Sequence, residues 1–314
     1  MKRFRDILLV ADSKTEGERT LKRAVSLAKN NQARLTVVDI VKKMPGDMQR
    51  LFRSKHLADI QDIIIQDRLK QLKHLIAPIK DEGIQVTAKV LLGRPVIEIV
   101  REVLRNKHDL VMITAEGKEG LKGMLFGTTT LRLMRKCPCP VWAIKHAKRI
   151  RFAWILAVVD LVSSDDVRSD LNAKIMELAS SLAQSEESKL HVIHTWTLYG
   201  ESILRNRVRL PNNEVNKMVH ETKKMHKLWL GELLEKYAPE IPNKQVHLVE
   251  GEAGTLIPEL AKKKRIELIV MGTVGRTGIT GLLMGNTAEK VLQQVNCSVL
   301  AVKPDGFISP VKLD

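Results

Sequence analysis

Cysteine, aromatic side chains and long apolar runs are all scarce in this chain. Its three cysteines, Cys137, Cys139 and Cys297, form an odd number without framework spacing, which argues against a secreted disulfide scaffold. Aromatic residues make up 4% of the chain, so the cores must be aliphatic, and no row of rings offers stacking to nucleic-acid bases. No stretch approaches the ~20 apolar residues of a membrane span. We therefore expect a cytoplasmic protein without a membrane span.

Several common catalytic motifs are also missing. The chain has no Gly-x-x-x-x-Gly-Lys-Ser/Thr loop, no Gly-x-Gly-x-x-Gly fingerprint, no nucleophile elbow, no paired catalytic carboxylates and no zinc motif. Cys137-Pro138-Cys139 lacks a partner pair at ligand spacing, so we expect buried thiols there rather than a metal site. The sequence thus offers no catalytic residue and no metal ligand, and it predicts a protein that is not an enzyme in the usual sense.

Positive charge is concentrated in the first half. Residues 1–150 hold 31 Lys and Arg against 16 Asp and Glu, whereas residues 151–314 hold 21 against 20. A basic half could face nucleic acid, an anionic membrane surface or an acidic protein. Solvated helix faces explain the same composition, and charge alone binds nucleic acid weakly and without specificity. We therefore do not expect a nucleic-acid partner.

The second half of the chain repeats the first. A chain of 314 residues fits two domains of about 150 residues each. The repeat runs without a gap from Gly93 to Lys145, and it pairs Gly93 with Gly251, Gly127 with Gly285, Cys139 with Cys297, and Val141–Lys145 with Val299–Lys303. We place the domains at residues 1–148 and 149–314.

Each half alternates short apolar runs with amphipathic stretches. The runs that predict strands are Ile7–Ala11, Leu35–Val41, Val86–Leu92, Leu110–Ile113 and Val141–Ile144, then Trp154–Val159, Leu190–Trp196, Gln245–Val249, Leu268–Met271 and Val299–Val302. The longest predicted helices cover Leu51–Lys80 and Glu214–Tyr237. Apolar strands that alternate with helices indicate a parallel sheet covered on both faces. The predicted fold is α/β, with two tandem Rossmann-like domains.

A glycine loop in the second half is the strongest candidate for binding. Gly272-Thr273-Val274-Gly275 follows a predicted strand, and nine residues later Gly285-Asn286-Thr287 opens a helix over Asn286–Gln294. Glycine lets the backbone approach a ligand, and a helix N-terminus favours an anion. Asn286 and Thr287 add side-chain donors, and Arg276 can neutralise phosphate. The alternative is that these glycines serve only tight turns from strand to helix.

The spacing Gly-x2-Gly-x9-Gly of Gly272, Gly275 and Gly285 resembles that of the universal stress proteins. The resemblance extends to Arg-Lys-Cys-Pro-Cys-Pro-Val-Trp in the first half, and it points to the tandem-domain, E-type branch of that family. It implies a five-stranded parallel sheet in each domain, with helices on both faces, of the adenine nucleotide alpha hydrolase-like kind. It also implies a role in stress response, binding of ATP (with Mg²⁺) or a related adenine nucleotide, and at most slow ATP hydrolysis. Asn286 departs from the pattern, since the family has Ser or Thr there.

Further residues are implied by the same resemblance. An acidic residue after the first strand holds adenine or ribose, a place that Asp160 and Asp12 occupy. The end of the second strand supplies backbone contacts to adenine, and Thr195 and Ile40 match it. The predicted site in the second half consists of Asp160, Thr195, Met271, Gly272, Gly275, Arg276, Gly285, Asn286 and Thr287. The family's homodimer suggests that the two halves pair about a pseudo-twofold axis, through the edge strands Val141–Ile144 and Val299–Val302.

The first half departs further from the family pattern. Thr114 replaces the first glycine, and Glu116 brings a negative charge beside the phosphate path, while Gly117, Gly127 and Thr128 remain. A β-branched residue at a tight turn, next to an acid, opposes phosphate binding. We expect the first half to be a supporting copy without nucleotide.

One alternative function remains open at this stage. The insertion Tyr199–Glu214 and the following helix could roof an apolar cavity over the second sheet. The helix would contribute Met218, Val219, Met225, Leu228, Trp229 and Leu233. Such a domain would hold an amphipathic, lipid-like small molecule and no nucleotide, as a storage or scaffold protein.

Overall fold

The computed structural model describes residues 4–11, 17–43, 56–115, 126–145, 151–161, 166–274 and 284–313, with the backbone alone at 17, 56–59 and 166–167. The chain divides into two compact units. Described residues up to 145, together with 307–313, belong to the first unit, and the remainder belong to the second. The predicted domain boundary between 148 and 149 lies outside the described residues.

The first unit is built on a parallel sheet. Its described strands are β1 (Asp6–Val10), β2 (Arg34–Val41), β3 (Val86–Leu92), β4 (Leu110–Thr114) and β5 (Val141–Ile144), and its described helices are α1 (Gly17–Asn31), α2 (His56–Asp81), α3 (Pro95–Asn106) and α4 (Thr128–Lys136). The strands pair in the order β3-β2-β1-β4-β5, all parallel. Every residue of β4 and β5 is buried, as expected of strands covered on both faces.

The second unit repeats this architecture. Its described strands are β6 (Trp154–Val159), β7 (Lys189–Trp196), β8 (Val246–Glu250), β9 (Leu268–Gly272) and β10 (Ser298–Val302), and its described helices are α5 (Asp166–Glu186), α6 (Glu201–Asn206), α7 (Asn212–Tyr237), α8 (Ala253–Lys263) and α9 (Asn286–Gln294). The parallel order β8-β7-β6-β9-β10 matches that of the first unit. The predicted fold class, two tandem α/β domains with five-stranded parallel sheets, is confirmed.

The repeat also reproduces individual backbone features. Gly93 and Gly251 follow the equivalent strands β3 and β8 with φ of 148° and 133°. These angles lie in the region that glycine alone adopts without strain. A Cβ at Gly93 would also lie 2.8 Å from the Cγ of Glu98. Both glycines therefore turn the chain from a strand into the next helix.

Some boundaries differ from the sequence prediction. The insertion predicted over Tyr199–Glu214 contains the short helix α6, and α7 begins at Asn212. The start of the helix predicted over Leu51–Lys80 lies outside the described residues. The last residues of the described chain pack in the first unit, where Val311 is buried and the Arg101 guanidinium donates to the Lys312 carbonyl. No helix in the described part of the chain is long and apolar enough to cross a membrane.

Candidate functional site

The candidate site lies at the topological switch point of the second sheet. Strand β6 pairs with β7 on one side and with β9 on the other. The connections that leave β6 and β9 therefore diverge, and a crevice opens at their carboxyl ends. Asp160 follows β6 directly, and Gly272 is the last residue of β9. Two of the predicted site residues thus flank the place where an open α/β sheet usually binds its ligand.

Helix α5 fixes Asp160 through two residues that lie four positions apart. The Asp160 backbone N–H donates to Asn172 Oδ1 at 2.9 Å, and Asn172 Nδ2 donates to the Asp160 carbonyl at 2.7 Å. Arg168 Nη1 donates to the Asp160 carboxylate at 3.1 Å. Asn172 is buried, whereas the Asp160 side chain is 68% exposed. The carboxylate is therefore accessible on a backbone that is held rigidly.

Gly272 has a packing role that is visible in the structure. A Cβ at this position would lie 2.8 Å from Cδ2 of Leu171, a buried side chain of α5. The glycine therefore leaves room for the Leu171 side chain at the end of β9, whether or not a ligand also needs the space. Met271, the residue before it, is buried in the core and exposed to solvent at 2%.

In the first unit a different pair of residues forms the equivalent contact between helix and strand. Thr114, which takes the place of Gly272, forms a hydrogen bond with Thr20 of α1, with 2.9 Å between the two Oγ1 atoms. Both threonines are buried. In the first unit two threonine side chains therefore share the contact that Gly272 and Leu171 make in the second.

The N-terminus of α9 presents exposed donors. Gly285 is the N-cap, with an extended backbone, and its N–H donates to the Thr273 carbonyl at 3.0 Å. Asn286 and Thr287, the first residues of the helix, are exposed. The first N–H groups of a helix have no partner within the helix and attract anions. Gly275 and Arg276, the remaining predicted residues of this loop, lie outside the described residues.

A histidine pair lies beside Thr195, the predicted adenine contact. Thr195 is partly buried on β7, where it pairs with Val249. The neighbouring His194 places Nδ1 3.2 Å from the Val159 carbonyl and Nε2 2.8 Å from Nδ1 of His226 on α7. The carbonyl can only accept, so Nδ1 of His194 carries the proton and His226 donates to Nε2. A hydrogen-bonded chain thus links α7 to the end of β6.

Aromatic rings enclose His226. Trp196 stacks on it with 5.8 Å between ring centroids, and Trp229 meets it edge-on at 4.9 Å. Burial lowers the pKa of His194 and of His226, because the charged imidazolium loses solvation there. Both rings are therefore neutral at pH 7.

A second histidine pair lies on the opposite face of β7. Nδ1 of His191 lies 2.9 Å from Nε2 of His247, and the two rings stack. His191 is three positions from His194, so the two point to opposite faces of the strand. Burial, followed by the nearby His247, lowers the pKa of His191 to about 4. His191 is buried and His247 is partly exposed, and we assign the pair no ligand.

Metal binding has no support among the residues that the structure describes. They contain no group of three or more His, Cys, Asp or Glu side chains that could hold a metal ion. Asp160 is paired with Arg168, and the histidines are paired with one another.

Comparison with known proteins is consistent with this geometry. The sequence profile of the universal stress protein family matches the chain twice, over residues 3–145 and 155–303. The chain belongs to the universal stress protein family. Each match spans one of the two α/β units, so the internal repeat is a tandem of two family domains.

The similar relatives share the tandem length. The chain is 28% identical to universal stress protein E of Photorhabdus laumondii, over 99% of each chain. It is also 28% identical to universal stress protein E of Escherichia coli K12, over 100% of this chain and 98% of the relative. A functionally unknown protein from Pseudomonas aeruginosa PAO1 has a solved structure with a TM-score of 0.70 and 27% identity, covering 98% of this chain and 95% of that one.

Proposed function

We propose that this protein acts in the cytoplasm in stress response and binds ATP or a related adenine nucleotide in its second half. One observation carries the proposal. The accessible Asp160 carboxylate and Gly272 flank the sheet's switch point, and the family's glycine spacing runs from there to the N-terminus of α9. Membership of the universal stress protein family supports the same site.

The residues present fit a nucleotide. The first N–H groups of α9, with Asn286 and Thr287, suit the phosphates, because they offer donors at the positive end of the helix dipole. Asp160 suits the ribose hydroxyls or the adenine amine as an acceptor, and Arg168 adds positive charge beside it. The backbone at Thr195 suits adenine. Arg276 would follow the second glycine and face phosphate.

A magnesium ion would depend on the nucleotide for most of its ligands. Mg²⁺ is commonly held by one or two carboxylates together with substrate phosphates. In the described part of the crevice, Asp160 is the one carboxylate that we assign to this role. Mg²⁺ would shield phosphate charge there, and any hydrolysis of ATP would be slow, as the family resemblance implies.

Replacing the second glycine of each half by valine tests whether the glycine loop binds phosphate or serves only as a turn. Gly275→Val should abolish ATP binding measured by calorimetry, because a Cβ and two methyl groups would block the approach of the backbone to phosphate. Gly117→Val makes the matched change in the first half and should leave the affinity unaltered. Equal affinity in the Gly275→Val variant would contradict the proposed site.

A second candidate function follows from α7. Met218, Met225 and Leu228 form an exposed apolar stripe on this helix, with Met225 47% and Leu228 61% exposed. Such a stripe is suited to an amphipathic, lipid-like small molecule. Mass spectrometry of protein purified without added nucleotide separates the candidates. Adenine nucleotide supports the first, and an amphiphile without nucleotide supports the second.

A further inference from the structure

Two thiols meet where α4 ends and β5 begins in the first unit. The Sγ atoms of Cys137 and Cys139 lie 3.5 Å apart, within hydrogen-bonding distance for sulfur. Cys137 is fully buried, and Cys139 is partly exposed. Cys137 has φ of −70° and ψ of 131°, the extended conformation that a following proline favours. Pro138 thus helps to fix the backbone that brings the two sulfurs together.

The second unit shows that the fold does not require sulfur at the first of these positions. Val295 matches Cys137 in the repeat and ends α9 with nearly the same backbone, φ of −83° and ψ of 134°. Its N–H donates to the Val291 carbonyl, as the N–H of Cys137 donates to that of Leu133. Val295 is also buried. An apolar side chain therefore suffices for packing at this helix end, and a dithiol needs another explanation.

We propose that Cys137 and Cys139 form a redox site in which a hydroperoxide closes the two thiols into an intramolecular disulfide. Cys139 is the less buried of the two residues, so we take its sulfur as the one that meets the oxidant first. Its thiolate attacks the terminal peroxide oxygen of ROOH, and the O–O bond breaks. The departing RO⁻ takes up the proton that the thiol released and leaves as ROH. The sulfenic acid that results is attacked by Cys137 sulfur, which loses its proton as water departs. One ROOH is reduced by two electrons, and one S–S bond forms. This site is separate from the nucleotide site of the second half.

The structure also indicates how fast and how reversible this step is. The shared hydrogen bond with Cys137, together with burial, raises the pKa of the Cys139 thiol well above its ordinary value. Since the thiolate is the nucleophile, we expect a slow reaction that suits sustained exposure to oxidant rather than peroxide turnover. The sulfurs must approach from 3.5 Å to about 2 Å within a ring that spans one residue. Strained disulfides are readily reduced, so we expect a labile bond.

Trypsin separates the cysteines for the test. It releases residues 137–145 with Cys137 and Cys139, and residues 291–312 with Cys297, since it does not cut between Lys303 and Pro304. Native protein is treated with hydrogen peroxide, alkylated, digested and analysed by mass spectrometry. The peptide 137–145 should carry no alkyl group and should be two hydrogens lighter than the reduced, unalkylated peptide. Dithiothreitol should restore both thiols. The peptide 291–312 should keep its alkyl group and serve as the internal reference.

Variants distinguish disulfide formation that depends on the folded site from nonspecific oxidation of the cysteines. Cys137→Val copies the residue of the second unit, so it should keep the thermal melting of the wild type but form no ring, and Cys139 should collect oxygen instead. Cys137→Ser provides the same readout if the valine variant unfolds. Oxygen adducts without a ring in the wild type would overturn the proposal. Ring closure that is equally fast in urea would also overturn it, because the folded backbone would then contribute nothing.

Discussion

At the scale of single residues, Gly272 is the position where packing and binding coincide. The absent Cβ admits Leu171 of α5, as it would admit a ligand, so the glycine alone does not decide between a turn and a phosphate site. The first unit fills the equivalent contact with the hydrogen-bonded pair Thr20 and Thr114. Placing the threonine pair of the first unit at Gly272 and Leu171 tests the packing role and the binding role of Gly272 separately.

We expect Gly272→Thr alone to lower the free energy of unfolding by about 1–3 kcal/mol, because the added atoms overpack the contact with Leu171. The double variant Gly272→Thr with Leu171→Thr copies the first unit and should recover part of that loss. Urea unfolding and ATP calorimetry on both variants are the measurements. Recovered stability without recovered binding would show that a ligand uses the space. Full binding in the double variant would contradict a role of Gly272 in the site.

The lowered pKa of His191 predicts how the free energy of unfolding depends on pH. Its pKa is about 4 in the folded protein, against about 6.5 when unfolded, so between these values the unfolded chain binds more protons. The stability that a neutral His191 contributes is present above pH 6.5 and lost as the pH falls toward 4, with about 2 kcal/mol of it lost by pH 5. Chemical denaturation at pH 7.5 and pH 5 should show the loss in the wild type and a smaller one in His191→Asn. His220→Asn, at an exposed position, is the control. Equal losses in both variants would refute the assignment.

At the scale of elements, the N-terminus of α9 gives a prediction with opposite signs for stability and binding. Asn286→Asp adds a negative charge to the first turn, which favours the helix dipole by about 0.3–1 kcal/mol. The same charge repels phosphate, so ATP affinity should fall while the free energy of unfolding holds or rises. Calorimetry and urea unfolding check the two. Unchanged ATP affinity would mean that no phosphate lies at this helix end.

The strands and most helices could be predicted from the sequence because their patterns are local. Trp154–Val159 and Asn286–Gln294 were predicted with the bounds observed. The partners of Asp160 could not be predicted, since Arg168 and Asn172 reach it only when α5 packs against the sheet. Their spacing of four residues on a helix was the one available signal. The pairing of His194 with His226 likewise joins elements that are distant in sequence.

At the scale of the whole molecule, duplication has produced two domains with one fold and different details. The first half carries most of the positive charge, the threonine pair and the dithiol, whereas the second carries the full glycine spacing and the accessible Asp160. We therefore propose that the second half binds the ligand and that the first half supports it. The predicted pairing of the halves through their edge strands stays a prediction.

The number of nucleotides bound per chain tests this division most directly. Calorimetric titration of the nucleotide-free protein with ATP and Mg²⁺ should show one site per chain, because the first half replaces Gly272 by Thr114. Two equal sites per chain would contradict the division, and no heat at millimolar ATP would contradict nucleotide binding itself.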